Sequence, residues 1–156
     1  MSWSNNSRGE WYVGLQIILM GVVAAGPWLD PATWSNDAAP WLAAGSVLAA
    51  MGIALVAAGL HALGPNLTPL PHPKDGATMV TSGAYAIVRH PIYAGIVLAA
   101  LGWGLAWRSP ITVVLAVALF AFFDVKSRRE ERWLVEAFPA YAGYRRRVKR
   151  LVPFVY

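Results

Sequence analysis

Residues capable of chemistry gather in one short stretch. Thr81 to Gly95 reads Thr-Ser-Gly-Ala-Tyr-Ala-Ile-Val-Arg-His-Pro-Ile-Tyr-Ala-Gly. Arg89 and His90 stand directly before Pro91, and proline suits the first turn of a helix. A helix start offers free N–H groups and a partial positive charge, so carboxylates bind there. Arg89 can add a bidentate pair, and His90 can donate, accept or move a proton near neutral pH. A plainer role is open to both: Arg89 can anchor to lipid phosphate and His90 can cap the helix. Glu130 and Glu131 form the second candidate group. Their plainer role is a solvated ion-paired face with Arg128, Arg129 and Arg132.

The elements that must position these groups read as membrane helices. Of the 156 residues, 57% are apolar and only 13% charged, against about 25% charged in soluble domains. The expected architecture is therefore a single all-α unit over 1–156, a polytopic bundle of four transmembrane helices with a cytoplasmic C-terminal helical segment. The expected spans are about 11–27, 40–63, 91–107 and 110–124. Residues 1–10 are polar and expected to fray. The first run differs from a signal peptide in its thin basic flank and in lacking a small-x-small cleavage pattern. In the second run Gly45, Ala49, Gly52 and Gly59 offer a thin face for close helix packing, as do Gly95, Ala99, Gly102 and Gly104 in the third. His61, near the end of the second run, reads as an interfacial histidine. Pro65, Pro69, Pro71 and Pro73 exclude a regular helix between the second and third runs. That segment is either a linker or an ordered cap over a site.

Charge sets the expected orientation. The chain carries +5, and nine of its thirteen Lys and Arg lie between Lys126 and Arg150. With the N-terminus inside and four crossings, the outer loops hold only Arg108, and the other basic residues are cytoplasmic. Trp28, Trp34, Trp41, Trp103 and Trp107 then gather at the outer interface. A basic cluster just beyond an apolar run favours membrane lipids over nucleic acid as partner.

The short link Arg108-Ser109-Pro110 makes the third and fourth runs an antiparallel hairpin. The start of the third then lies beside the end of the fourth. Glu130 and Glu131 come six to seven residues past the fourth run, about 10 Å along a helix at 1.5 Å per residue. They therefore share a level with Arg89 and His90. Pro139 should stop the charged helix that continues from Lys126 to Phe138. Tyr141 and Tyr144, then Arg145, Arg146, Arg147, Lys149 and Arg150, follow. The closing Leu151–Tyr156 is apolar enough to dock on a membrane surface. The absence of cysteine excludes disulfides and thiolate nucleophiles. No His-x-x-x-His spacing, glycine-rich phosphate loop or defensible Ser/His/Asp arrangement is present, so no metal is expected.

The ordered set Gly83-x-Tyr85-x-x-x-Arg89-His90-Pro91-x-Tyr93-x-Gly95, Glu130-Glu131-x-x-Leu134, Phe138, Tyr141-x-x-Tyr144 and Pro153 resembles the isoprenylcysteine carboxyl methyltransferase family, which is related to the phospholipid methyltransferases. The resemblance runs from about Leu63 to Pro153 and departs from the family at Ala84, where proline is frequent. It implies S-adenosylmethionine as methyl donor, held by Tyr85, Arg89, His90, Pro91, Tyr93, Gly95, Glu130, Glu131, Tyr141 and Tyr144. Glu130 or Glu131 would meet the ammonium or ribose hydroxyls, and Tyr85, Tyr93 and Tyr141 would pack on adenine or face the sulfonium. His90, Glu131 and Arg147 are the candidate catalytic residues, with Arg147 suited to orient a carboxylate acceptor. The implied acceptor is lipophilic or amphiphilic, with a carboxylate, amine or thiol as the group methylated. The implied location is the inner membrane of a bacterium or archaeon, both termini cytoplasmic. The competing readings are a nicotinamide-dependent reductase related to sterol reductases and a non-enzymatic membrane scaffold.

Overall fold

Four apolar runs bounded by prolines and glycines fold as helices. The computed structural model describes residues 9–30, 33–68, 70, 72 and 76–156. Residues 1–8, with Pro69, Pro71, Pro73, Lys74 and Asp75 of the proline-rich connection, lie outside them. The helices are α1 (Glu10–Leu29), α2 (Ala39–Leu63), α3 (Pro91–Ala106), α4 (Pro110–Ala137) and α5 (Tyr141–Arg147). Among the described residues there is no β-strand, only an isolated parallel bridge between Val88 and Lys149.

α1, α2 with the 3-10 turn that follows it, and α4 are each long and apolar enough to cross a membrane. α3 is apolar but has 16 residues, about 24 Å at 1.5 Å per residue. One boundary differs from expectation. α1 continues through Pro27 to Leu29, because a proline in the last turn forfeits only one backbone bond near the helix end. As expected, the charged segment continues the fourth apolar run, and the two form one unbroken helix of 28 residues. No glycine or proline interrupts them before Pro139.

Small residues set the helix packing. α2 and α3 run antiparallel with their glycine faces in contact. A Cβ at Gly52 would lie 2.5 Å from Gly95 O and 2.5 Å from Ala99 N, and one at Gly95 would lie 2.6 Å from Gly52 O. The contact repeats between Gly45 and Gly102. Helix axes come this close only where no side chain intervenes. α1 rests on α4 through Gly26, which abuts Thr112. Val23, Val97, Ala100, Ala116, Leu119 and Phe123 fill the core between α1, α3 and α4.

At one end, the start of α4 is tied down. Ser109 Oγ accepts from Thr112 N at 3.1 Å, Asp30 Oδ2 accepts from Ile111 N at 3.2 Å, and Ser109 Oγ donates to Asp30. The expected tryptophans collect at this end: Trp28 packs on Trp103 and Trp107, and Trp34 on Trp41. Ser109→Ala is expected to cost about 1 kcal/mol, the usual worth of an N-cap. Thermal unfolding should show it as a lower Tm, while ligand binding at the opposite end is unchanged.

Candidate functional site

The opposite end of the bundle holds the start of α3, the end of α2 and the charged half of α4. Glu131 is its anchor, 1% exposed. Its Oε1 accepts from Arg89 Nε at 2.8 Å, lies 3.2 Å from His90 Nε2 and is 3.4 Å from Arg150 Nε. Three basic groups thus converge on one carboxylate oxygen. Arg89 also donates through Nη1 to the carbonyls of Arg145 and Val148, so it closes the end of α5 as well.

The tail is threaded beside this anchor. Arg89 N donates to Lys149 O at 2.8 Å and His90 N to Arg150 O at 3.1 Å. Arg150 then reaches Asp124 Oδ1 at 2.9 Å, and Tyr156 Oη donates to the same oxygen at 2.9 Å. The residues before α3 and those after α5 are therefore held in register by backbone bonds, and side-chain ion pairs lock that register onto α4.

A cavity of about 210 Å³ opens beside the anchor. Its polar wall carries Arg89, His90, Tyr93, Glu130, Tyr85, Tyr141 and Tyr144. Tyr93 Oη donates to Glu130 Oε2 at 2.8 Å. The Tyr93 ring stacks on His90 at 5.4 Å and on Phe123 at 4.6 Å, which fixes where Glu130 is held. Tyr144 Oη donates to Tyr85 O at 2.5 Å. Tyr141 Oη is buried and has no hydrogen-bond partner among the described residues. Burial pushes the Tyr144 phenol up to about 12. Tyr85 and Tyr141 are raised further, first by burial and then by nearby glutamates. All three are neutral phenols able to donate. The apolar wall comes from Leu60 and Leu63 of α2, Leu67 and Leu70 beyond it, and Leu134 and Phe138.

The family model for phospholipid methyltransferases matches residues 41–141, roughly two-thirds of the chain and both sides of this cavity. The chain belongs to the phospholipid methyltransferase family. It is 42% identical over 77 residues to the cobalt-zinc-cadmium resistance protein CzcN of Cupriavidus metallidurans, across 49% of this chain and 36% of that protein. It is 35% identical over 79 residues to the protein-S-isoprenylcysteine O-methyltransferase of Saccharomyces cerevisiae, across 49% of this chain and 33% of that enzyme. The human protein-S-isoprenylcysteine O-methyltransferase is 36% identical over 83 residues, across 52% and 29%. The chain thus spans about a third of the length of these relatives. The family resemblance read from the sequence agrees with the family model and with the two isoprenylcysteine O-methyltransferases. Among the described residues no group of three His, Asp or Glu side chains is placed to hold a metal ion.

For this family member the structure sorts the candidate residues. Tyr85, Arg89, His90, Tyr93, Glu130, Tyr141 and Tyr144 meet at the cavity. Glu131 sits behind them, outside the lining, paired to Arg89, His90 and Arg150. Pro91 and Gly95 are buried against α2. Arg147 is exposed at the end of α5 and does not reach the lining. The proline-rich connection behaves as a cap in its described parts. Asn66 clips Thr78 through Thr78 N to Oδ1 at 2.9 Å, and 77–80 line the cavity. Sequence reasoning missed Asp124, Arg150, Lys126 and Gln16. Gln16 and Lys126 did leave a signal: a single amide inside an apolar run, and a lysine directly after one.

Proposed function

We propose that this protein is an integral membrane enzyme that transfers a methyl group from S-adenosylmethionine to a lipophilic or amphiphilic acceptor at the cytoplasmic face. The observation that carries the reading is the Tyr93–Glu130 pair, held at a cavity whose one wall is polar and whose other wall is leucine-rich. α1 to α4 are the four crossings in this reading. α3 is the short one, completed by flanking residues or local thinning of the bilayer. The tryptophan-rich end is the outer one and both termini are cytoplasmic. The inner membrane of a bacterium or archaeon remains the proposed location.

The residues present fit the cofactor. Glu130 is the carboxylate at the cavity and suits an ammonium or the ribose hydroxyls. Tyr141 Oη is an orphaned buried donor that a hydroxyl or ring nitrogen of the cofactor would satisfy. The Tyr85 and Tyr144 rings offer faces for adenine or a sulfonium cation. When bound, the cofactor supplies an electrophilic methyl on sulfur. The chain's own contribution is positioning: Glu131 fixes His90, His90 and Phe123 fix the Tyr93 ring, and Tyr93 fixes Glu130. The leucine wall suits the acceptor's alkyl part. The methylated atom is a carboxylate oxygen, an amine or a thiol, and the relatives named for isoprenylcysteine O-methylation favour the carboxylate.

Calorimetry on the purified protein tests this. S-adenosylhomocysteine should bind, and a nicotinamide dinucleotide phosphate should not; the reverse result removes the methyltransferase reading in favour of the reductase. Glu130→Gln keeps the size of the side chain and removes its charge. It is expected to weaken S-adenosylhomocysteine about 10- to 100-fold, the range for one charge-assisted contact, with little change in Tm. A scaffold without catalysis would show neither effect.

A further inference from the structure

One charged group at the cavity has no part in that arrangement. Lys126 is 1% exposed and lines the cavity. Among the described residues it makes no ion pair with a carboxylate within 4 Å. Its Nζ donates to Gln16 Oε1 at 2.5 Å and lies 5.0 Å from the centre of the Tyr93 ring. An amide oxygen and an aromatic face stabilise an ammonium only partly. A buried charge is costly unless it is paired, and an ammonium has three donors to place.

The surrounding charges are already assigned. Arg89 and Arg150 share Glu131, and Arg150 also holds Asp124. Glu130 is engaged by Tyr93 and, in the reading above, by the cofactor. Glu130, one turn along α4, acts on Lys126 without reaching ion-pair distance, and with a cofactor whose sulfonium and ammonium outnumber its carboxylate, Lys126 is left with no carboxylate of its own. Gln16 comes from α1, outside residues 41–141 that match the family. It is a polar side chain in an otherwise apolar part of its helix.

We propose that Lys126 and Gln16 form an oxyanion subsite, which takes the carboxylate or phosphate of the amphiphilic acceptor while the leucine wall takes its alkyl chain. The inference rests on the acceptor being amphiphilic, as in the function proposed above. Lys126 supplies the charge-assisted bond. Gln16 holds Nζ at the cavity wall and keeps it from turning away along α4.

The test is calorimetric, on the full chain in maltoside micelles, with dodecanoate, dodecyl phosphate and dodecanol as probes. Both anions are expected to bind about tenfold more tightly than the alcohol, the size of one charge-assisted contact. The tighter of the two anions tells a carboxylate acceptor from a phosphate headgroup, and either supports the subsite. Lys126→Met should erase the preference and Lys126→Arg should retain it. Gln16→Leu should weaken it. Equal binding of anions and alcohol by the unaltered protein overturns the proposal, and that comparison needs no variant to fold. A preference that survives Lys126→Met also overturns it. So does a tenfold loss of S-adenosylhomocysteine affinity in Lys126→Met with the preference for anions intact, since Lys126 then serves the cofactor's own carboxylate. Anion preference in a protein that does not bind S-adenosylhomocysteine would leave the subsite standing and remove the proposed function instead.

Discussion

Glu131→Gln is expected to destabilise the protein by about 3–5 kcal/mol, the cost of breaking a buried ion pair by removing one partner. The substitution changes almost nothing in shape. It removes the charge on which Arg89, His90 and Arg150 converge. Arg150 keeps Asp124 at 2.9 Å, so the loss falls mainly on Arg89, which is 7% exposed and has only carbonyl oxygens left. Because Glu131 lies behind the lining, the functional effect travels through His90. Without its carboxylate partner the imidazole is no longer pinned, and its stack on Tyr93 no longer fixes Glu130. Affinity for S-adenosylhomocysteine should therefore fall by at least about tenfold, a loss of about 1.4 kcal/mol, together with Tm. Thermal unfolding and calorimetry on the same preparation read both. A variant with the parent's Tm would show that Glu131 is no anchor. Arg147→Ala, at an exposed position, should leave Tm unchanged under the same conditions.

The reach of sequence reasoning follows from what each feature depends on. The helix-packing faces were legible because Gly45, Gly52, Gly95 and Gly102 recur at helical spacing, and only close backbone contact makes use of that pattern. The meeting of α3 with α4 was legible because Arg108-Ser109-Pro110 is too short for anything but an antiparallel hairpin. Which glutamate faces the cavity was not legible. Neighbours on a helix differ by about 100° at 3.6 residues per turn, so the rotation of α4 about its axis decides between Glu130 and Glu131. That rotation is set by Phe123, Leu119 and Ala116 packing into a core drawn from three helices. The tail posed a similar problem. Five basic residues between 145 and 150 look alike in sequence, but α5 ends at Arg147 and the backbone turns extended at Val148. That turn brings Arg150, two residues later, onto Asp124 and Glu131, and leaves Arg147 in solvent. The pairing of Gln16 with Lys126 joins residues 110 apart, and no local pattern encodes a contact of that range.

Gly52→Val is expected to be the most damaging change outside the charged cluster, because it separates α2 from α3 along their closest contact. A Cβ at this position lies 2.5 Å from both Gly95 O and Ala99 N. Those are backbone atoms of a regular helix, so no side-chain rotation relieves the clash. Either the helices move apart or the variant fails to assemble. Overpacking a core typically costs 1–3 kcal/mol, and with backbone on both sides the loss here should reach at least about 3 kcal/mol. The consequence for the site follows from connectivity. α2 carries Leu60 and Leu63, and α3 carries Ile92 and Tyr93, on facing parts of the cavity wall. Moving the axes apart widens the cavity and loosens the hold on Tyr93 and Glu130, so S-adenosylhomocysteine affinity should drop even in protein that remains folded. Gly14 supplies the comparison, since a Cβ there meets nothing within 4 Å. Gly14→Val should leave Tm and affinity within error of the parent. Equal tolerance of valine at both positions would show that α2 and α3 do not depend on the glycine contact. A loss confined to Gly52→Val would place the small-residue face of the apolar helices among the determinants of the cavity.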